Sequence, residues 1–269
     1  MELSLERNIK PAVKKIANPG SRWLALVSGL IALGIWEAAT RWGGFKPFIL
    51  PSPTMVWERF LLALADGTLL RNTAVTLSEV VLGLLAGAIL ATLTGYVLGK
   101  SHLLERLLSP FLVASQAVPI VAIAPLLVIW FGPGMISKIL ICALIVFFPV
   151  LVNTVVGVRA VPENLRDLMR SMRATPLQIL RYLEIPAALP VFLGGLRIGA
   201  TLSVIGAVVG EFVGADRGLG FLVNIGRAQY DTALVFVAVF ALVALALCLY
   251  GLVVLVEKRL LSWQRRSRI

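Results

Sequence analysis

The sequence predicts an all-α integral membrane protein with six transmembrane helices and both chain ends on the cytoplasmic side. Three observations carry that reading. Hydrophobic residues make up 59% of the 269-residue chain and charged residues only 14%, where a soluble domain carries about a quarter. The mean hydropathy is +0.92. Apolar runs long enough for a spanning helix of roughly 20 residues recur along the whole chain.

The elements follow in order. Residues 1–22 are a basic segment with Arg7, Lys10, Lys14, Lys15 and Arg22. The first span, 23–41, resembles a signal peptide in its flanks, but it is long and no small-residue cleavage site follows, so it is read as a retained span. In the loop 42–72, the stretch TMVWERFLLALAD (54–66) is amphipathic enough to lie along the interface. The second span covers 73–99. The third, 108–131, is interrupted by Pro110, Pro119 and Pro125. Carbonyls freed by proline cannot face lipid, so this span is the best candidate to line a pathway. The fourth span is 136–157, with Pro149 inside, the fifth 189–213 and the sixth 234–257. A basic tail, 258–269, closes the chain. The transmembrane domain as a whole is 23–257 and includes a polar loop at 158–188.

Charge sets the orientation. Lys and Arg collect before the first span, in the 158–188 loop (Arg159, Arg166, Arg170, Arg173, Arg181) and after the sixth span (Lys258, Arg259, Arg265, Arg266, Arg268). With six spans these regions share one side, as the positive-inside rule requires. The net charge of +11 is therefore divided among membrane flanks rather than gathered on one soluble face, which excludes nucleic acid as a partner and makes lipid the contact. Cys142 and Cys248 both lie within apolar runs, so neither a disulfide framework nor a metal site is expected.

Small residues at four-residue spacing, Gly83/Gly87, Gly95/Gly99, Gly195/Gly199 and Gly206/Gly210, predict close helix packing within one subunit. TGYVLGKS (94–101) mimics a phosphate-binding loop, but Thr94 stands where the first glycine is needed and the stretch closes a span. His102 is the single histidine and is expected to be solvated. No catalytic constellation is present. Ionisable or polar groups within spans, which are costly there, are Glu37, Glu79, Gln116, Asn153, Arg197 and Glu211. Glu37 and Glu79 fall near span ends, within reach of the interface. Gln116, Pro119, Asn153, Arg197 and Glu211 are the candidates for a translocation pathway. The structural alternative places Arg197 and Glu211 in one pairing network.

The 158–188 loop reads as two short helices outside the membrane. Pro162-Glu163 starts the first, which runs to about Arg173. Thr175 caps the second, with Pro176 at its first position, and Pro186 ends it. Leu177, Ile179, Leu180, Tyr182 and Leu183 give this second helix an apolar surface. A helix this short needs a partner to dock on.

This loop resembles that of the permease subunits of bacterial ABC importers, the binding-protein-dependent inner-membrane component. The family's loop reads E-A-A-x-x-x-G-A, a spacer, then hydrophobic-x-hydrophobic-P. Here Asp167-Leu168-Met169 stands at E-A-A, Arg173-Ala174 at G-A, and Leu183-Glu184-Ile185-Pro186 closes the motif. The resemblance extends over roughly 30–260 through ILPSP (49–53), PLLVIWFG (125–132), FFPVLVNT (147–154), GLRIG (195–199) and VVGEFVGADRGLG (208–220). These motifs are similar to the branch importing aliphatic sulfonates, taurine, nitrate or bicarbonate, which includes permeases for thiamine pyrimidine precursors and riboflavin. The resemblance implies the type I importer permease fold in the inner membrane of a prokaryote and a homodimer of this chain. It also implies two cytosolic ABC ATPases that bind ATP and Mg²⁺, with no cofactor on this chain, and an extracytoplasmic substrate-binding protein. Asp167, Arg170, Arg173, Ala174, Thr175, Pro176, Leu177, Ile179, Leu180, Arg181 and Pro186 would then couple the permease to the ATPase. The competing reading is an ion-coupled carrier or channel without an ATPase.

Overall fold

The computed structural model describes residues 20–262. The basic segment before residue 20 and the tail arginines Arg265, Arg266 and Arg268 lie outside the described residues. The chain divides into two compact units, 1–55 and 56–269.

In the first unit, helix α1 (Gly20–Trp42) covers the first predicted span; part of its N-terminal side chains lie outside the described residues. Near its end Glu37 pairs with Arg41 at 2.6 Å, so this acid is met on its own helix, one turn on. Helix α2 (Pro53–Ala65), which lies in the second unit from Val56 onward, is the expected amphipathic helix. It buries Val56 and Ala63 and leaves Trp57 and Leu62 exposed.

Three long helices form the centre of the second unit. Helix α3 (Thr68–Lys100) and α9 (Ile185–Gly214) both pack along α6 (Met135–Arg159). The glycines decide this. A Cβ on Gly83 would strike Cys142, and one on Gly87 or Gly95 would strike Ala143 or Thr154. On the other flank, Gly195 lies against Asn153 and Gly206 against Cys142. The four-residue spacing thus serves packing within this chain, with α6 as the shared partner of both glycine faces. Ala88, Ala91, Leu98, Val146, Val150 and Leu151 form the core between them. Helix α11 (Thr232–Leu260) packs on α9.

The third predicted span is not one helix. Helices α4 (His102–Gln116) and α5 (Ile120–Phe131) meet at a 91° bend. Of its three prolines only Pro119 breaks the chain, standing at the N-cap of α5; Pro110 and Pro125 lie inside helices. Pro119 has no N–H to continue α4 and pushes Val118 out of the helical region. Among the described residues, four helices are long and apolar enough to cross a membrane, or five if the bent pair counts as one span. They include predicted spans two, four, five and six. Short helices α7 (Glu163–Ser171), α8 (Pro176–Ile179) and α10 (Leu219–Ala228) complete the unit.

Candidate functional site

The segment between α6 and α9 is built as a rigid projecting element. Helix α7 ends in a Schellman turn, in which Arg173 N–H donates to the Arg170 carbonyl at 2.9 Å and Ala174 N–H to the Met169 carbonyl at 3.0 Å. That turn needs a left-handed residue after the helix, and Arg173 supplies it with φ 57°. The first helix therefore stops at Ser171, two residues before the expected end. Thr175 then opens α8 with a capping box: its hydroxyl accepts from Gln178 N–H at 3.3 Å, and the Gln178 side chain accepts from Thr175 N–H at 2.7 Å.

The second short helix does not end at Pro186, which corrects the sequence reading. Leu180–Glu184 form a π-helical turn in which Ile185 N–H reaches back to the Leu180 carbonyl, and α9 follows directly. Pro186 falls within the first two positions of α9. In a regular α-helix its ring would collide with the carbonyl four residues back. The wider π turn absorbs that conflict, so the helix runs unbroken over Pro176–Gly214.

One buried carboxylate anchors this element. Glu184 is 1% exposed. It accepts from Tyr96 Oη at 3.1 Å, pairs with Lys100, and lies 3.3 Å from Arg166 Nε. The end of α3, helix α7 and the π turn therefore meet on a single side chain. Arg166 also donates to the Val158 carbonyl at 2.8 Å, and Arg159 to the Leu98 carbonyl at 3.3 Å. A cleft of about 550 Å³ opens beside this junction, lined by Lys100, His102, Arg159, Glu163, Arg166 and Arg170. His102 is exposed, as expected, and sits 4.0 Å from Glu105.

The tip stays bare. Met172 is 74%, Leu177 70% and Tyr182 66% exposed, and Arg181 stands over the Tyr182 ring at 5.8 Å. Thr175, Pro176 and Arg173 are exposed beside them; Ala174, Ile179 and Leu180 are half-buried. Asp167 and Arg170 pair at 3.2 Å on the exposed face of α7. The sequence-selected residues of this element are thus brought together, as one apolar and basic tip on a stiff base.

The pathway candidates are not brought together. Gln116 ends α4 and Pro119 stands at the N-cap of α5 at the bend, both exposed. Asn153 is half-buried and donates to the Pro149 carbonyl at 2.7 Å. Arg197 pairs with Glu257 on α11 and stands 5.6 Å from the Tyr250 ring. Its network is therefore with α11, not with Glu211, which lies about four turns further along α9.

Glu211 belongs to a buried cluster at the opposite end of the bundle from Glu184. Its carboxylate accepts from Thr76 Oγ at 2.6 Å and from Gly220 N–H. Leu219 N–H donates to Thr76 Oγ at 2.8 Å, and Gly218 N–H to Asn72 Oδ1 at 2.7 Å. Glu79 is buried in the same place, 3.8 Å from Lys138 Nζ, and does not reach an interface as its position near a span end suggests. The sequence reading omits Asn72, Thr76 and Lys138. The spacing 72, 76, 79 puts three polar side chains on one helical face, and that stripe was the available signal.

The chain matches the family described as binding-protein-dependent transport system inner membrane component over residues 81–262. The riboflavin transport system permease protein RibX of Chloroflexus aurantiacus is 44% identical over 95% of this chain and 96% of its own. The formylaminopyrimidine transport permease protein ThiX of Halalkalibacterium halodurans is 35% identical over 88% of this chain and 94% of its own. The inward-facing MetNI methionine ABC transporter has a similar fold, with a TM-score of 0.61 at 20% identity, over 73% of this chain and 97% of that one. With its bundle of apolar helices and the matched segment running from α3 to the end of α11, the chain belongs to the binding-protein-dependent inner-membrane components, the permease subunits of ABC transporters.

Proposed function

We propose that this permease is one half of a homodimeric, ATP-driven importer with six spans per chain and both ends in the cytosol, carrying a small polar solute inward across the inner membrane. The observation that carries the reading is the projecting element at 172–185. An exposed tip of Met172, Leu177 and Tyr182 is unfavourable in water and calls for a hydrophobic partner groove. Arg173 and Arg181 beside it suit an acidic rim. A cytosolic ABC ATPase dimer, holding ATP and Mg²⁺, is that partner. Asp167, Arg170, Ala174, Thr175, Pro176, Ile179, Leu180 and Pro186 shape the tip and its base.

Force applied at the tip enters two long helices. It enters α9 by direct continuity of Pro176–Gly214, and α3 through Glu184 to Tyr96 and Lys100. ATP-driven closure of the two ATPases would draw the two tips together and open the outer end of the dimer to the substrate-binding protein. The pathway would run between the two copies, past the α4–α5 bend at Gln116 and Pro119 and along α6 near Asn153. Arg197 and Glu211 hold neighbouring helices in place beside it. The 44% identity to the riboflavin permease makes a heteroaromatic vitamin or precursor the first solute to test, ahead of a sulfonate, taurine, nitrate or bicarbonate.

The test is reversal of both tip charges, Arg173→Glu with Arg181→Glu, in the chain co-expressed with its ATPase. The expected result is normal membrane insertion, loss of ATPase co-purification and loss of uptake. A double variant that still retains the ATPase and transports at the parent rate refutes the docking role. Gradient-driven uptake by the chain alone in liposomes would instead establish a carrier.

A further inference from the structure

Helix α10 begins without a cap of its own. Its N-cap is Gly218, with φ 115° and no side chain to offer, although the first amides of any helix need partners. Three consecutive amides, of residues 218, 219 and 220, are instead served by Asn72, Thr76 and Glu211 from α3 and α9. A Cβ on Gly218 or Gly220 would strike the Glu211 carboxylate, so the backbone lies directly on it. The cluster also contains Glu79 and Lys138, all three charged side chains being buried. Two carboxylates and one ammonium would leave an uncompensated buried charge, which is strongly disfavoured.

The donors divide the two acids. Glu211 takes the Thr76 hydroxyl and the Gly220 amide, and an ionised carboxylate is stabilised by such donors. Glu79 has one oxygen 3.8 Å from Lys138 and shares a side-chain hydrogen bond with Glu211, which one of the two acids must be protonated to donate. We propose that Glu211 is the ionised member and acts as a cap donated from α9 to α10, that Glu79 is its neutral neighbour, and that Lys138 balances the charge. Glu211 is then a positioning residue. It fastens the 215–220 loop and the start of α10 to α3 and α9, so that this end of the bundle moves as one body. The proposal rests on the importer reading only in assigning this end to the outer face.

The test is amide exchange of the full-length chain in lipid nanodiscs, read by mass spectrometry without ATPase or solute, together with infrared difference spectra. Glu211→Gln and Glu79→Gln both preserve shape, so a packing role would move both equally or neither. Glu211→Gln is expected to raise exchange at residues 218–222 by about ten- to a hundredfold, the range for a lost hydrogen bond to a charged group. Exchange at 143–151 in α6 should stay at the parent level, which certifies the fold. Glu79→Gln should leave residues 218–222 within about twofold of the parent, and should abolish the protonated-carboxyl stretch that Glu211→Gln retains. Equal loosening by both, or no loosening by Glu211→Gln, overturns the assignment. Should Glu211→Gln fail to fold, Thr76→Val removes one donor from the same carboxylate and must raise exchange at 218–222. Since no transport is measured, failure of the importer reading would leave these outcomes intact.

Discussion

Replacing Arg173 with glycine should stabilise the turn that joins α7 to α8. Arg173 holds φ 57°, in the region where an L side chain crowds its own backbone at about 1–2 kcal/mol. Glycine removes that crowding but has more freedom to lose, which costs about 0.5–1 kcal/mol. The difference is a net gain of about 0.5–1 kcal/mol, or a two- to fivefold shift in the local opening equilibrium. The reporter is the Ala174 amide, whose bond to the Met169 carbonyl at 3.0 Å exists only while the turn is formed. Its exchange should slow two- to fivefold, by about the amount just derived, in Arg173→Gly. Arg173→Ala keeps the Cβ and loses the charge, so exchange should stay near the parent rate. Arg173→Val adds a branched Cβ and should speed exchange. If Arg173→Ala protects as well as Arg173→Gly, the strain argument is wrong and the arginine charge is what loosens the turn.

Other outcomes follow from the same geometry. Glu184→Ala should lower stability by roughly 3 kcal/mol, the low end for a broken buried pair because Lys100 is partly exposed, read as the melting of purified protein, since Lys100 and Arg166 lose their common partner; Glu184→Gln should lose less. Gly83→Ala should cost roughly 1–3 kcal/mol by the same measurement, since its Cβ would overlap Cys142, while Gly251→Ala, with nothing within 4 Å, should cost nothing. The Asp66 carboxylate accepts from the Thr68 N–H at 2.8 Å, and this hydrogen bond holds it below the usual carboxylate range. A depressed folded value means that its support for the start of α3 is present above about pH 4 and is lost as pH falls through the folded value. Exchange at Thr68 should accelerate through that window in the parent and be flat in Asp66→Asn.

The long helices were legible in the sequence because apolar length is a strong and local signal: α3, α6, α9 and α11 all contain the runs predicted for them. The cap at Thr175 was equally local. What escaped was non-local. Nothing within 108–131 distinguishes Pro119, which breaks the helix, from Pro110 and Pro125, which do not. Pro186 reads as a stop, because a π turn leaves no mark in composition. Arg197 and Glu257 are 60 residues apart, and Glu184 finds Lys100 across 84, so their pairing needs the fold. Asn72 and Thr76 read as ordinary span polarity until the loop at 218–220 is placed upon them.

The π turn also fixes something that no single side chain does. Pro176–Gly214 is 39 residues of uninterrupted helix, roughly 58 Å long at 1.5 Å per residue. Angular phase is therefore transmitted along the shaft from the tip to the far end. Losing or gaining one residue in the regular turns between 185 and 195 would rotate the tip by about 100° relative to the glycine face on α6, whereas losing one between 180 and 184 would return the wide turn to ordinary pitch and bring the Pro186 ring against the carbonyl four residues back. The number of residues between Thr175 and Gly195 is thus under tighter constraint than most of the residues themselves, and natural or engineered variation here should change letters but not length.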